Sequence, residues 1–572
     1  MVATTLEYFT EKYPDLYSDL KTQLDYIYRW EKEKANDIFL RQPFGDSWKT
    51  MTWGEAMKEA RRMTAALQSM GFKEGDHIAI VSKNCYHWIL ADLAIMMGGY
   101  VSTPFYANLS SEQMTEVLEK SDARAVFVGK LDTWDNIDGG IPKDFPIIKF
   151  PHYSGNAKVT RGKDWDELVK AHDPIEGNPK PDIESTWTIL FTSGTTGTPK
   201  GVVHTFKNAA LIMRGEEIND TLKTFSTPDP TFFSFLPLNH IAERTAVEIG
   251  GIISGGSISF AESLDTFAKN LQDTQPTLFF AVPRIWTKFN LGVLAKMPQK
   301  KLNTFLKIPI LSGLVKKKIK KSLGLSRATL IMTGASITPE SLKQWYRSLG
   351  INLREVYGMT ENFGGFSLMP EFGHKAHTVG KPMTYCEGKI HPDTGEIMMK
   401  LPWMMQGYYK DDGLTSKVLV DGWLHTGDKG QMDEEGYIKI IGRVKDAFKT
   451  SKGKFVVPTI LEDKFSENSN IEQICVAGLG IPQPIALVNL SEIGLAEDQE
   501  AITQNLTEQL TEVNKSLHGH EVISTIVINK EAWTPDNELL TPTLKIRRGK
   551  LDEKYMESYA QWHADDAKII WA

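Results

Sequence analysis

The sequence predicts an α/β chain in two unequal parts, a large multi-sheet N-terminal domain over residues 1–442 and a small α+β domain over 446–572, joined at 443–445. Three observations predict this. Apolar runs of strand length alternate with amphipathic segments of helix length, the pattern of a doubly wound sheet. The length, 572 residues, exceeds what one ordinary core fills. The composition also shifts after Arg443-Val444-Lys445, where a Lys/Gly-rich hairpin and a polar helix follow.

In order, residues 20–45 mix aromatic and charged side chains and yield no clear element. Thr52 caps a helix running toward Met70, with Glu55 three positions on as in a capping box. His77–Val81 is a buried strand, a helix begins near Tyr86, and Tyr100–Phe105 and Ala125–Val128 are further strands. Residues 153–182, rich in Gly, Pro, Asp and Lys, read as a surface connection. Ile189–Phe191 is a strand, Lys207–Glu217 a helix, and Phe232–Leu238 a strand ending at Asn239-His240. Residues 251–260 are glycine-rich and apolar, with room for something to lie against them. Leu330–Thr333 runs into the small turn Gly334-Ala335-Ser336, and a helix over Pro339–Leu349 leads to Glu355–Glu361. A hairpin turning at Glu434-Glu435-Gly436 closes the large domain. The small domain holds a hairpin over Lys449–Lys454, strands at 474–479, 485–490 and 522–528, and a helix over 496–517. Its basic segment Leu544–Tyr555 is helical toward its end.

Bulk properties exclude several classes. A net charge of −7 argues against general nucleic-acid binding. The three cysteines, Cys85, Cys386 and Cys475, are too scattered for a disulfide framework or a zinc site and suit a reducing compartment. No signal peptide is visible, and the most apolar segment, Trp88–Tyr106, is broken by Asp92, Gly98 and Gly99. A cytoplasmic location follows, with peripheral contact at the inner face of a membrane as an addition. That addition rests on residues 274–339, which contain no Asp or Glu but many Lys, with apolar residues interleaved over 291–325. A basic amphipathic segment suits an anionic membrane, each well-placed Lys contributing about 1 kcal/mol. A merely solvated basic face is the other explanation.

The stretch with the most chemistry is residues 189–204. After the strand, Thr192, Ser193, Gly194, Thr195, Thr196 and Gly197 leave hydroxyls and backbone N–H groups free to converge on an anion, and Lys200 adds a positive charge. It is not a Walker A loop, because Lys200 lies between Pro199 and Gly201 with no Ser or Thr after it.

Four motifs occur in order: Phe191-Thr-Ser-Gly-Thr-Thr-Gly-Thr-Pro-Lys-Gly201, Tyr357-Gly-Met-Thr-Glu361, Trp423-Leu-His-Thr-Gly-Asp428 and Gly442-Arg-Val-Lys445. Together with Lys545 they resemble the adenylate-forming superfamily of acyl-CoA synthetases, luciferases and peptide-synthetase adenylation domains, from about Thr52 to Lys550. The segments Leu236–Arg244, Ala281–Trp286 and Leu540–Lys545 look most like the long-chain fatty acyl-CoA synthetases.

The resemblance implies an ATP-dependent ligase that converts a fatty acid to acyl-AMP and then, with coenzyme A, to acyl-CoA. It also implies that the small domain is a mobile lid hinged at Lys445. The Thr192–Lys200 loop would hold the β- and γ-phosphates, and Glu361 with Thr195 would bind Mg²⁺. Thr360 would contact the α-phosphate. Tyr357 and Gly334-Ala335-Ser336 would sandwich the adenine, Asp428 would accept the ribose hydroxyls with Arg443 close by, and Glu355, Gly358 and Tyr437 would complete the nucleotide site. Lys545, Thr360 and Glu361 would carry adenylation. Lys452 and Gly453 would face CoA for the second step. His240, Trp286, Gly364 and Gly365 would border the acyl pocket, with Gly250, Gly251, Gly255 and Gly256 adding space. Each role has a plainer counterpart: Trp286 and His240 as core residues, Glu361 as a helix cap, Asp428 as a turn stabiliser, Lys545 as a surface lysine. The alternative functions are adenylation of a shorter or aromatic acid and transfer to a carrier-protein thiol. A homodimer stays open.

Overall fold

The computed structural model describes residues 2–193, 199–466, 468–534, 537–541, 545–565 and 567–572. Its largest sheet has eight strands. Six of them are parallel in the order Thr186–Ser193, Val101–Phe105, His77–Val81, Ala123–Val128, Ile147–Lys149, Lys163–Asp164. Pro199–Thr205 and Gly407–Tyr408 extend it antiparallel at one edge. The strand His77–Val81 is buried at all but its first residue, which explains its unbroken apolar sequence. Helix Tyr86–Met97 is buried along its whole length, all round. Thr52 caps helix Trp53–Ser69 by accepting from the Glu55 N–H at 3.2 Å, and the Glu55 carboxylate accepts in turn from the Thr52 N–H at 2.8 Å.

A second sheet begins with parallel strands Leu278–Ala281, Leu330–Thr333 and Leu353–Tyr357 and ends in two short antiparallel ones. A third joins Thr231–Ser234, Ser257–Phe260, Ile38–Phe44 and Ser47–Thr52. A fourth, antiparallel, carries the long hairpin Trp423–Met432 with Ile438–Arg443. Beyond it, Ile471–Ala477, Ile485–Leu490, Ile526–Ile528 and Ile569–Trp571 form a separate four-stranded sheet, whose apolar core around Val456, Leu506 and Val488 is its own.

Some local expectations change. Residues 20–45 contain helix Gln23–Glu33, capped by Thr22 and Asp25, and strand Ile38–Phe44. The surface connection 153–182 holds a short helix, Trp165–Ala171, anchored by a buried Trp165. The strand expected over Phe232–Leu238 stops at Ser234, where the Phe235 N–H turns to the Glu243 carboxylate at 2.8 Å. The glycines of 250–256 leave no spare space. A Cβ at Gly250 would meet Phe232, at Gly251 Ile258, and at Gly255 Trp30, so these glycines serve close helix–sheet packing.

Candidate active site

Two strands of the largest sheet bring the first pair of charged groups together. Lys200, on the strand Pro199–Thr205, lies over the ring of Tyr408 with Nζ 5.8 Å from its centroid. The Tyr408 hydroxyl donates to Glu361 Oε1 at 2.6 Å. Glu361 sits in the single turn Thr360–Asn362 that follows strand Leu353–Tyr357. That turn is held from two sides. The Asn362 side chain accepts from the Met359 N–H at 2.9 Å, and buried His204 lies with Nε2 2.8 Å from the Thr360 carbonyl. Burial lowers the His204 pKa to about 4, so its ring is neutral and donates that bond.

The second group lies on the hairpin. Asp428 and Arg443 are register partners, and the guanidinium Nε is 2.9 Å from Asp428 Oδ1. The Tyr357 hydroxyl donates to Asp428 Oδ2 at 2.6 Å. Burial raises the Asp428 pKa against the opposing pull of Arg443 and the Tyr357 hydroxyl. Burial pulls Arg443 down, but the neighbouring Asp428 carboxylate outweighs it and the net shift is upward.

The third group comes from the far end of the chain. Lys545 is solvent-accessible and lies within the electrostatic reach of Arg443, Asp428 and Glu361. Desolvation and then Arg443 lower its pKa, while Asp428 and Glu361 oppose them. His240 shares this space. Burial, then the Lys545 charge, brings its pKa down to about 4, and its Nδ1 accepts the Ala242 N–H at 3.3 Å. Gly364 backs onto the same turn, where a Cβ would lie 3.4 Å from Ile241, and its φ is +85°. Gly358 must be glycine because a Cβ there would meet the Gly364 carbonyl at 2.2 Å.

Other expected residues stand apart. Trp286 is fully buried, its indole N–H bonded to the Ala281 carbonyl and its ring edge-on to Tyr346 and Phe279. It packs as a core residue, the plainer of the two readings of Trp286. The Glu355 carboxylate is taken up by Lys343 Nζ at 2.6 Å and the Thr338 N–H at 2.9 Å. It braces the Gly334-Ala335-Ser336 turn, in which Ala335 has φ +66°, rather than facing Asp428. The Tyr437 hydroxyl donates to the Gly373 carbonyl, and among the described residues no hydrogen bond joins it to the other site residues. A Cβ at Gly365 would meet the flexible end of Met383 at 2.8 Å. Lys452 and Gly453 are exposed at the hairpin tip. Gly194, Thr195, Thr196 and Gly197, the Ser193 side chain, and Pro542-Thr543-Leu544 lie outside the described residues. Sequence reasoning missed Tyr408 and His204, which support motif residues distant in the chain, and Lys343, which holds Glu355 from the neighbouring helix.

Beneath the site lies a sealed charge cluster. Arg244, fully buried, pairs with Asp92 and with Glu248 at 2.8 Å, and donates to the Thr188 hydroxyl at 2.9 Å. Trp187 and Trp88 cover its faces. It ties helix Tyr86–Met97, the strand leading to the 192–200 loop and the segment after His240 into one body.

Glu361 Oε2 has no protein partner among the described residues, and a single carboxylate open to a ligand fits a magnesium ion that takes its other ligands from phosphate and water.

A family model described as AMP-binding enzyme matches residues 27–409, and one described as AMP-binding enzyme C-terminal domain matches 445–564. Long chain acyl-CoA synthetase 2 of Arabidopsis thaliana is 29% identical, over 95% of this chain and 92% of its own. Long-chain-fatty-acid–CoA ligase FadD15 of Mycobacterium bovis is 27% identical, over 92% and 95%. Among solved structures, the A domain of carboxylic acid reductase from Segniliparus rugosus shares the fold, with a TM-score of 0.77 over 99% of both chains at 20% identity.

Proposed function

The chain belongs to the AMP-binding enzyme family, and from that premise we propose that it is an ATP-dependent long-chain fatty acid–CoA ligase. The observation that carries the proposal is the convergence of Glu361, Asp428 with Arg443, and Lys545 on one space from three distant segments. Two anions must meet there, so positioning and charge neutralisation dominate the first step. A carboxylate oxygen of the acid attacks the α-phosphorus of ATP. The bond to the β-phosphate oxygen breaks and pyrophosphate leaves. Lys545 neutralises charge gathering on the α-phosphate and carboxylate, and Thr360 contacts the same phosphate. Asp428 holds the ribose hydroxyls once they take the place of the Tyr357 hydroxyl and Arg443 as its partners. Glu361 would hold Mg²⁺, which when bound neutralises phosphate oxygens. In the second step the thiol of coenzyme A loses its proton, attacks the acyl carbonyl and expels AMP.

The small domain, residues 446–572, acts as a lid that turns at Lys445. Two anchors flank that residue and support the assignment. The Val444 N–H still donates to the Gly427 carbonyl of the large domain at 2.8 Å, whereas Asp446 already pairs with Arg548 of the small one at 3.3 Å. In the arrangement observed, Lys545 faces the site and the Lys449–Lys454 hairpin is exposed. Turning would exchange them, bringing Lys452 and Gly453 toward CoA. The long-chain preference rests on the names of the relatives and on the side-chain-free wall at Gly364. The glycines of 250–256 contribute nothing to it, since they are filled by Phe232, Ile258 and Trp30.

ATP–pyrophosphate exchange across a panel of carboxylic acids, followed by product analysis with CoA, tests the proposal. Exchange that peaks with long alkyl acids and yields acyl-CoA is expected. Exchange with none refutes the ligase, and a peak at short or aromatic acids refutes the chain-length assignment.

A further inference from the structure

The structure separates the two kinds of apolar residue in the basic segment. Leu302, Val315 and Ile319 turn inward to the core. Ile308, Ile310 and Leu314 do not: they are 47%, 83% and 63% exposed. Ile310 and Leu314 are one turn apart on helix Pro309–Ser322. Lys317 and Lys321 continue the same stripe at helical spacing, with Lys318 beside it, and all three are exposed. Lys307 and, on the preceding helix, Lys300 and Lys301 are exposed as well. None of these lysines has a carboxylate within ion-pair distance among the described residues, although surface lysines elsewhere in the chain commonly do. The helix cannot roll this face inward. Its far end is pinned by the Gln272 and Gln275 side chains, which donate to the Ser322 and Lys321 carbonyls at 2.7 and 3.3 Å.

We propose that this face, residues 307–321, seats the protein on an anionic phospholipid bilayer, with Ile308, Ile310 and Leu314 entering the headgroup layer and the lysines contacting lipid phosphates. One feature selects a bilayer over other polyanions. Nucleic acid would reward the lysines but not three exposed aliphatic side chains. A chain of net charge −7 has no general attraction to polyanions, so binding must be local to this face. Among the described residues no helix is long and apolar enough to cross a membrane, so the contact is at the surface. The inference is independent of the acid that the site adenylates.

Flotation of the full-length protein with vesicles of phosphatidylcholine, with and without phosphatidylglycerol, tests it. Binding only to the anionic vesicles, weakening as salt rises, is expected. Lys317→Gln/Lys318→Gln/Lys321→Gln should weaken partitioning roughly 100-fold. Ile310→Ser/Leu314→Ser leaves the charge unchanged and should still weaken it roughly tenfold. All five positions lie on the surface, away from the site, so pyrophosphate exchange should stay at the wild-type level and report folding. In a third variant, Leu314→Trp, tryptophan emission should shift to the blue on addition of anionic vesicles only. Absence of binding, equal binding to neutral vesicles, an apolar double variant that binds like wild type, or equally tight binding to a duplex nucleic acid at the same salt would each overturn the proposal.

Discussion

Replacing Lys545 by alanine separates the two half-reactions. The lysine's charge lies among Asp428, Glu361 and Arg443, and in the adenylation transition state it would be the cation that meets the α-phosphate and the acid. Removing one such preorganised group costs about 10²–10³ in rate, or about 3–4 kcal/mol. Acyl-AMP formation, followed by single-turnover release of labelled pyrophosphate, should fall by that factor. Conversion of supplied acyl-AMP to acyl-CoA should change less than about twofold, because the proposal gives that step to the Lys449–Lys454 hairpin on another face of the lid. Lys545→Arg keeps the charge and should recover part of the first step. The pH dependence has a definite sign. Desolvation and Arg443 bring the lysine's pKa below its ordinary value of 10.5, so adenylation should decline at high pH as the ammonium is lost, and the decline should vanish in Lys545→Arg. An equal loss in both half-reactions would refute the assignment of Lys545 to one lid position.

Three further outcomes follow from the geometry. Tyr408→Phe removes the hydroxyl that orients Glu361. Bonds to charged groups contribute about 1.5–3 kcal/mol, so the Mg²⁺ concentration for half-maximal exchange should rise about tenfold or more with little change in Tm. Arg284 pairs with Glu472 across the two domains, with side chains 45% and 31% exposed. Such a pair contributes about 0–1 kcal/mol, so Arg284→Ala should change the ratio of the half-reaction rates by no more than about fivefold, in favour of thioester formation. Burial raises the Glu216 carboxyl from 4.5 to about 7, so its contribution to stability is full below pH 4.5 and is lost as pH rises to about 7. Glu216→Gln should therefore gain about 1–3 °C in Tm relative to wild type between pH 5 and pH 8 by scanning fluorimetry.

What was legible in the sequence were features whose cause is local. The capping box at Thr52 and Glu55 and the strand at His77–Val81 need only their own residues, and both appear where expected. The nearness of Arg443 to Asp428 is implied by the family resemblance, and hairpin register fixes it. The parts that stayed hidden depend on distant partners. Tyr408 lies on a two-residue strand that acquires its place only by pairing with Pro199–Thr205. Lys343 claims Glu355 from a neighbouring helix, and no local signal marks a carboxylate as already spoken for. Glycines posed the same difficulty, since an absent side chain signals space equally well whether a ligand or Phe232 fills it. In the basic segment, composition could not tell Val315 from Leu314, and only the helix's orientation does so.

The sealed Arg244 cluster also governs where motion resides. Separating Arg244 from Asp92 or Glu248 would strand an unpaired charge out of water's reach, a change that typically costs about 3–5 kcal/mol. At that cost the cluster is open in only about 1% of molecules or fewer. The helix under His240 and the strand that feeds the 192–200 loop are therefore a fixed anvil. Shape change on substrate binding is expected away from that floor, and the proposed hinge lies there: Lys445 stands between two anchors, and among the described residues no hydrogen bond or ion pair of its own crosses the joint. The stiffness of one part thus assigns the labour of shape change to the other.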